Sequence, residues 1–124
     1  IALLQPTTPF RSENIFNAML RKYRELNDID VMVASGTPFK ESLWERSEEN
    51  LYVRSDPGPR NQLLRREKFI EDGAFYIFDR IRYLQLGRLD SFKWFFFENQ
   101  FPYNLDINSE NDLQAASLMS QFYD

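Results

Sequence analysis

Gln5, Thr7 and Thr8 stand in the run Leu3-Leu4-Gln5-Pro6-Thr7-Thr8-Pro9-Phe10-Arg11, where one amide and two hydroxyls are set between prolines. Such neutral donors and acceptors suit a hydroxylated ligand such as a sugar. Pro6 and Pro9 restrict their own backbone and that of Gln5 and Thr8, so the polar groups are held in place. The same run also reads as a proline-stiffened turn leading into the next helix. A second constellation is Asn104-Leu105-Asp106-Ile107-Asn108-Ser109-Glu110-Asn111-Asp112. Strand alternation sets Asp106 and Asn108 side by side, where an oxygen-preferring cation such as Mg²⁺ could meet a substrate phosphate. Read structurally, Asn108 or Ser109 caps a helix whose N-terminal dipole favours Glu110 and Asp112. Arg60, Arg65, Arg66 and Lys68 form a third group, suited to carboxylate or phosphate. Glu67 and Glu71 can equally pair with them as an ordinary solvated surface.

Composition narrows the chemistry. The 124 residues contain no Cys and no His, which removes thiolate nucleophiles, disulfides, Cys-ligated zinc and the commonest general base. Carboxylates, amides, hydroxyls, Lys, Arg or a hard cation must carry any reaction. A net charge of -4 without a long basic stripe speaks against nucleic-acid binding. With 43% hydrophobic residues and 12 Phe the chain is globular and rich in aromatics. It has no uncharged apolar run near the ~18 residues of a membrane span and no signal-peptide pattern. A soluble, cytoplasmic protein with no membrane partner is expected.

The elements that must position these groups alternate. Ile1-Ala2-Leu3-Leu4 suits a strand buried on both faces, and its polar sequel lies where α/β sheets usually hold ligands. Its abrupt opening at Ile1 reads either as missing upstream sequence or as the start of an edge strand. Ser12 can cap a helix in which Ile15, Phe16, Met19, Leu20, Tyr23 and Leu26 recur at helical spacing. Val31-Met32-Val33-Ala34 restores a buried strand, giving a βαβ pattern. Residues 37–72 then leave the rhythm, with a hairpin candidate at Leu43–Arg46 and Leu51–Arg54. This excursion reads either as an arm that pairs with a second copy or as a flap over a site. Asp72-Gly73 marks a turn before the strand Ala74–Phe78, and a short helix follows to Gly87. Phe92–Phe97 is a strand too aromatic to be left in water. Tyr103–Ile107 is expected as the last strand, before a helix capped by Ser109 with Leu113, Ala116 and Phe122 facing inward.

These residues resemble a family. Leu3–Arg11 is similar to the Leu-Leu-Gln-Pro-Thr-Ser-Pro-Leu-Arg signature of CMP-sialic acid synthetases, the acylneuraminate cytidylyltransferases. Asp72-Gly73-Ala74-Phe75-Tyr76-Ile77 resembles the family's Asn-Gly-Ala-hydrophobic-Tyr-Ile strand. Leu105-Asp106-Ile107-Asn108-Ser109-Glu110-Asn111-Asp112-Leu113 resembles its Asp-Ile-Asp-Thr block followed by Asp-Leu. The blocks occur in the family's order and span nearly the whole chain.

The resemblance implies transfer of CMP from CTP to the anomeric hydroxyl of a nine-carbon acidic sugar, with Mg²⁺ stabilising the phosphates. It implies an α/β, three-layer nucleotide-sugar transferase (Rossmann-like) fold, incomplete here, in a likewise partial single domain that carries a β-arm. Gln5 and Thr7 would contact the sugar, Tyr76 would line its pocket, and Arg60 would lie near its carboxylate. Phe95 and Phe96 would match aromatics presented to a partner's site in a homodimer, with residues 37–72 as the dimerisation arm. Asp106 would be a metal ligand. The family's Gly-, Arg- and Lys-rich nucleotide loop lies upstream of the Gln5 signature and is absent from this sequence, so CTP is a partner only where that half is supplied. Asn108 stands where the family has a second carboxylate, which weakens a Mg²⁺ site. The expected function is the sugar-binding, dimerising portion of a cytidylyltransferase, inactive alone; the alternative is a non-catalytic sugar-binding remnant of that fold.

Overall fold

Along the chain run β1 (Ala2–Leu3), α1 (Glu13–Glu25), β2 (Val31–Ser35), β3 (Trp44–Arg46), β4 (Tyr52–Arg54), β5 (Glu71–Phe78), α2 (Arg80–Leu86), β6 (Trp94–Glu98) and α3 (Glu110–Met119). The structure is a computed structural model that describes residues 1–36, 38–55, 58, 61, 64–88 and 92–123. Two compact units are present, one made of Ile1–Thr37 with Ile70–Asp124 and the other of Pro38–Phe69.

In the first unit a mixed four-stranded sheet has the order β1-β5-β2-β6. β5 runs antiparallel to both β1 and β2, while β6 lies parallel to β2. With its three helices the unit is of the α/β class. β2 consists of Val-Met-Val-Ala-Ser, all five buried, as suits a strand with neighbours on both edges and cover on both faces. α1 starts where Ser12 Oγ accepts the Ile15 N–H at 3.3 Å. Its Met19 is wholly buried in a core with Met32, Ala34, Ala74, Phe75 and Ile77, and Ile15, Phe16, Leu20 and Tyr23 pack around it. Full burial of a methionine side chain is worth about 1.5–3 kcal/mol. α2 ends as expected at Gly87, whose φ of 67° is left-handed and whose N–H reaches Tyr83 O at 2.8 Å.

Four expectations are corrected. Ile1–Leu4 does not form a strand buried on both faces: among the described residues β1 pairs only with β5, and Ile1, Leu3 and Leu4 are 55%, 50% and 46% exposed. Asp72-Gly73 is not a turn before the strand but lies inside β5. The β2–β5 register jumps there from Val33↔Tyr76 to Ser35↔Glu71, a bulge that Gly73 accommodates with φ 72°. Tyr103–Ile107 forms turns and an irregular loop, its Tyr103 and Leu105 N–H groups bonding to Gln100 O and Pro102 O rather than to a strand. In α3 Ala116 is buried, but Leu113 is 49% exposed, and Phe122, past the helix end at Met119, is 77% exposed.

The second unit contains the expected hairpin. β3 and β4 pair antiparallel with Trp44 opposite Arg54 and Arg46 opposite Tyr52. Asn50, at φ 60°, completes the connection, and the Ser47 N–H closes on Leu51 O at 2.8 Å. A bridge between Phe39 and Lys68 joins the two ends of the unit.

Candidate functional site

The Gln5 loop is held by its backbone. The Gln5 N–H donates to Gly73 O at 3.2 Å, and the Gln5 carbonyl accepts from the Thr8 N–H and from Arg11 Nη2. Thr8 is fully buried, and its Oγ1 donates to Asp72 O at 2.9 Å. Thr7, by contrast, is exposed and uses its carbonyl to accept the Ile107 N–H at 2.9 Å. The two threonines therefore divide the work: Thr8 anchors the loop to the β5 bulge, and Thr7 leaves its side chain at the surface.

The bulge carries Asp72 inward. Asp72 Oδ1 accepts the Ala74 N–H at 2.9 Å, and Oδ2 accepts Asn99 Nδ2 at 3.0 Å. Asn99, itself buried, also donates to Tyr103 O at 2.9 Å, while its N–H reaches Ser35 O at 2.7 Å. Burial pushes the Asp72 carboxyl above the usual aspartate range and the nearby Asp106 charge adds to this, against the lowering effect of the Ala74 and Asn99 hydrogen bonds.

A cavity of about 390 Å³ opens beside this network, lined by Gly36, Ile70, Glu71, Asp72, Asn104, Asp106 and Asn108. Carboxylates and amides dominate that lining, which among the described residues includes no Lys or Arg. Asp106 and Asn108 do lie side by side despite the missing strand: Asn108 Nδ2 donates to Asp106 Oδ2 at 2.9 Å. Asp106 Oδ1 is a buried oxygen with no hydrogen-bond partner among the described residues. A carboxylate oxygen in that state, among other oxygen ligands, has the donor chemistry of a hard-cation site. Among the described residues no three acidic side chains are grouped to enclose a metal by themselves.

Tyr76 donates its phenol to Glu71 Oε2 at 2.8 Å. Burial, reinforced by the Glu71 bond and the charges of Glu71, Asp72 and Asp106, raises its pKa, so the phenol stays protonated. Leu3, Tyr76, Val33 and Phe96 form one row across the sheet and share a face. Phe95 belongs to the other face, where it packs against the core beneath α1. The two aromatics are thus separated by the sheet. Arg60 lies outside the described residues.

Glu71, Asp72 and Asn99 are not singled out by the sequence as site residues, and Asn104 enters it only as the first residue of the Asp106 constellation. Asn99 and Asn104 flank Phe101-Pro102 just after an apolar strand; polar residues at a strand's carboxyl end were the available signal. No protein-family profile matches the chain, and no curated protein sequence matches it.

Proposed function

We propose that this chain is the sugar-binding and dimerising portion of a cytidylyltransferase that transfers CMP from CTP to a nine-carbon acidic sugar. One observation carries the reading: of the three sequence blocks that resemble the family, far apart in the chain, the first is hydrogen-bonded to both of the others. Gln5 N–H meets Gly73 O, Thr8 Oγ1 meets Asp72 O, and Ile107 N–H meets Thr7 O, at 3.2, 2.9 and 2.9 Å.

In this reading the Gln5 amide, the Thr7 hydroxyl and the protonated Tyr76 phenol meet sugar hydroxyls. Glu71, Asp72 and Asp106 repel a carboxylate, so the sugar turns its hydroxylated part toward the cavity. Phe96, on the Tyr76 face, is better placed than Phe95 to line the same pocket. The fold is then of the three-layer nucleotide-sugar transferase type, and transfer of CMP requires a nucleotide-binding element in addition to these residues.

Mg²⁺ fits the oxygen-rich cavity chemistry, and Asp106 would hold it through Oδ1 with Asn108 beside it. When bound, the ion would neutralise phosphate charge. The dimer reading draws on the hairpin: Trp44, Leu51, Tyr52 and Val53 are 58%, 62%, 61% and 53% exposed, and a lone two-stranded hairpin is marginal in water.

Isothermal titration of the chain with sialic acid tests this reading. Saturable binding that neutral hexoses do not reproduce is expected, with no pyrophosphate release when CTP and Mg²⁺ are added to the chain alone. Absence of binding, or equal binding of neutral hexoses, contradicts the reading.

A further inference from the structure

The geometry points to Gly73 as the residue that seats the Gln5 side-chain amide, and so as a positioning residue for the ligand that Gln5 meets. The ligand half of this inference rests on the sugar-binding reading above; the seat itself does not. Gly73 sits in the β5 bulge at φ 72°, and the Gln5 side chain folds directly over its α-carbon. A Cβ at position 73 would overlap Gln5 Oε1 and stand 3.0 Å from Gln5 Cδ. Real Cβ atoms do not approach other heavy atoms so closely, so any side chain at 73 expels the Gln5 amide.

The loop itself cannot yield readily. Gln5 N–H is tied to Gly73 O, and its carbonyl is held by Thr8 and Arg11. Thr8 is buried and anchored to Asp72. Displacement therefore falls on the Gln5 side chain, whose rotamers are free to change while the backbone stays. The two residues are 68 positions apart, so the absence of an atom on one strand sets the direction of an amide on another loop.

Two effects of substituting Gly73 must be separated. A left-handed φ strains most L-residues whatever lies nearby. Loss of the seat, in contrast, depends on Gln5. Asn tolerates left-handed φ best among residues bearing a Cβ, so Gly73→Asn keeps the overlap with least strain.

The experiment follows the Gln5 side-chain amide resonances of the full chain by NMR in the wild type, Gly73→Ala and Gly73→Asn, with Gln5→Ala to assign them. Cross-relaxation between the Gln5 amide and the Gly73 α-protons is expected in the wild type, and displaced Gln5 resonances in both variants. Denaturant unfolding adds a cycle in which Gly73→Ala costs less in the Gln5→Ala background. Unmoved Gln5 resonances, or an equal Gly73→Ala cost in both backgrounds, overturn the seat. Should Gly73→Ala fail to fold, Gly73→Asn and the α-proton shifts of Gly73 in Gln5→Ala decide it. With sialic acid as the probe, Gly73→Asn and Gln5→Ala are each expected to weaken binding about tenfold, the loss of one polar contact, and the double variant no further. Additive losses overturn the positioning role, whereas a wild type that binds no sialic acid defeats the sugar reading and leaves the resonances to judge the seat.

Discussion

Asn99 donates its side-chain amide to the buried carboxylate of Asp72 at 3.0 Å, and the same nitrogen reaches Tyr103 O at 2.9 Å. One side chain thus joins the β5 bulge to the loop that carries Asp106. Asn99→Ala leaves a buried carboxylate and a carbonyl without that donor. A hydrogen bond to a charged group is worth about 1.5–3 kcal/mol, and a loss of that size in urea unfolding is expected. Asn99→Asp should cost more, because it sets a second carboxylate against the first.

Thr8→Val keeps the shape of the side chain and removes the hydroxyl that donates to Asp72 O. A buried acceptor left without its donor costs about 1–3 kcal/mol. The same unfolding measurement checks this, and a neutral substitution would mean that the Thr8 bond does not anchor the loop.

Asp72 makes stability depend on pH with a defined sign. Its native pKa is raised, first by burial and then by Asp106, so the folded state holds the proton more tightly than the unfolded chain. The contribution is stabilising in acid and is lost as pH climbs from the ordinary value of about 3.9 through the raised native value. Asp72→Asn abolishes the titration. The wild-type advantage over that variant should therefore shrink with rising pH across that window and stay flat above it. A difference that grows with pH would refute the assignment.

Asp112 behaves in the opposite sense. Ser109 Oγ donates to Asp112 Oδ2 at 2.7 Å and the Asn108 N–H joins at 3.1 Å, holding this carboxyl below the usual range. Ser109→Ala removes the stronger influence and the cap of α3 together. Carbon-detected NMR titration should find the Asp112 pKa moved up toward the ordinary aspartate value, with fraying of the first turn of α3.

Asn108→Asp probes the cation reading. Asn108 Nδ2 now donates to Asp106 Oδ2, and the substitution would put two carboxylates in its place. Without Mg²⁺ the variant should melt lower than the wild type, and with Mg²⁺ it should recover by more than the wild type gains. Equal responses to the ion would count against a cation at Asp106.

Local signals made much of the fold legible. Helical spacing from Ile15 to Leu26 gave α1, Ser12 and Ser109 identified two caps, Gly87 an end, and the apolar run at Val31 a buried strand. What escaped depends on pairing between distant strands. The bulge at Gly73 exists only relative to β2, and the alternation of Leu105 and Ile107 imitates a strand where turn hydrogen bonds prevail. Within the site, Asp106 beside Asn108 was readable from spacing, whereas the reach of Asn99 to Asp72 required the sheet to bring β6 past β2.

In the proposed function the Gln5 loop, the β5 bulge and the Asp106 loop form one recognition site for an acidic sugar. Backbone and side-chain amide resonances of the chain, followed by NMR during addition of sialic acid, test it most directly. Shifts concentrated on Gln5, Thr7, Gly73, Tyr76 and Asn104 are predicted, with the Gln5 side-chain amide among the largest. Saturating sugar that leaves these residues unmoved, or moves only distant ones, would contradict it.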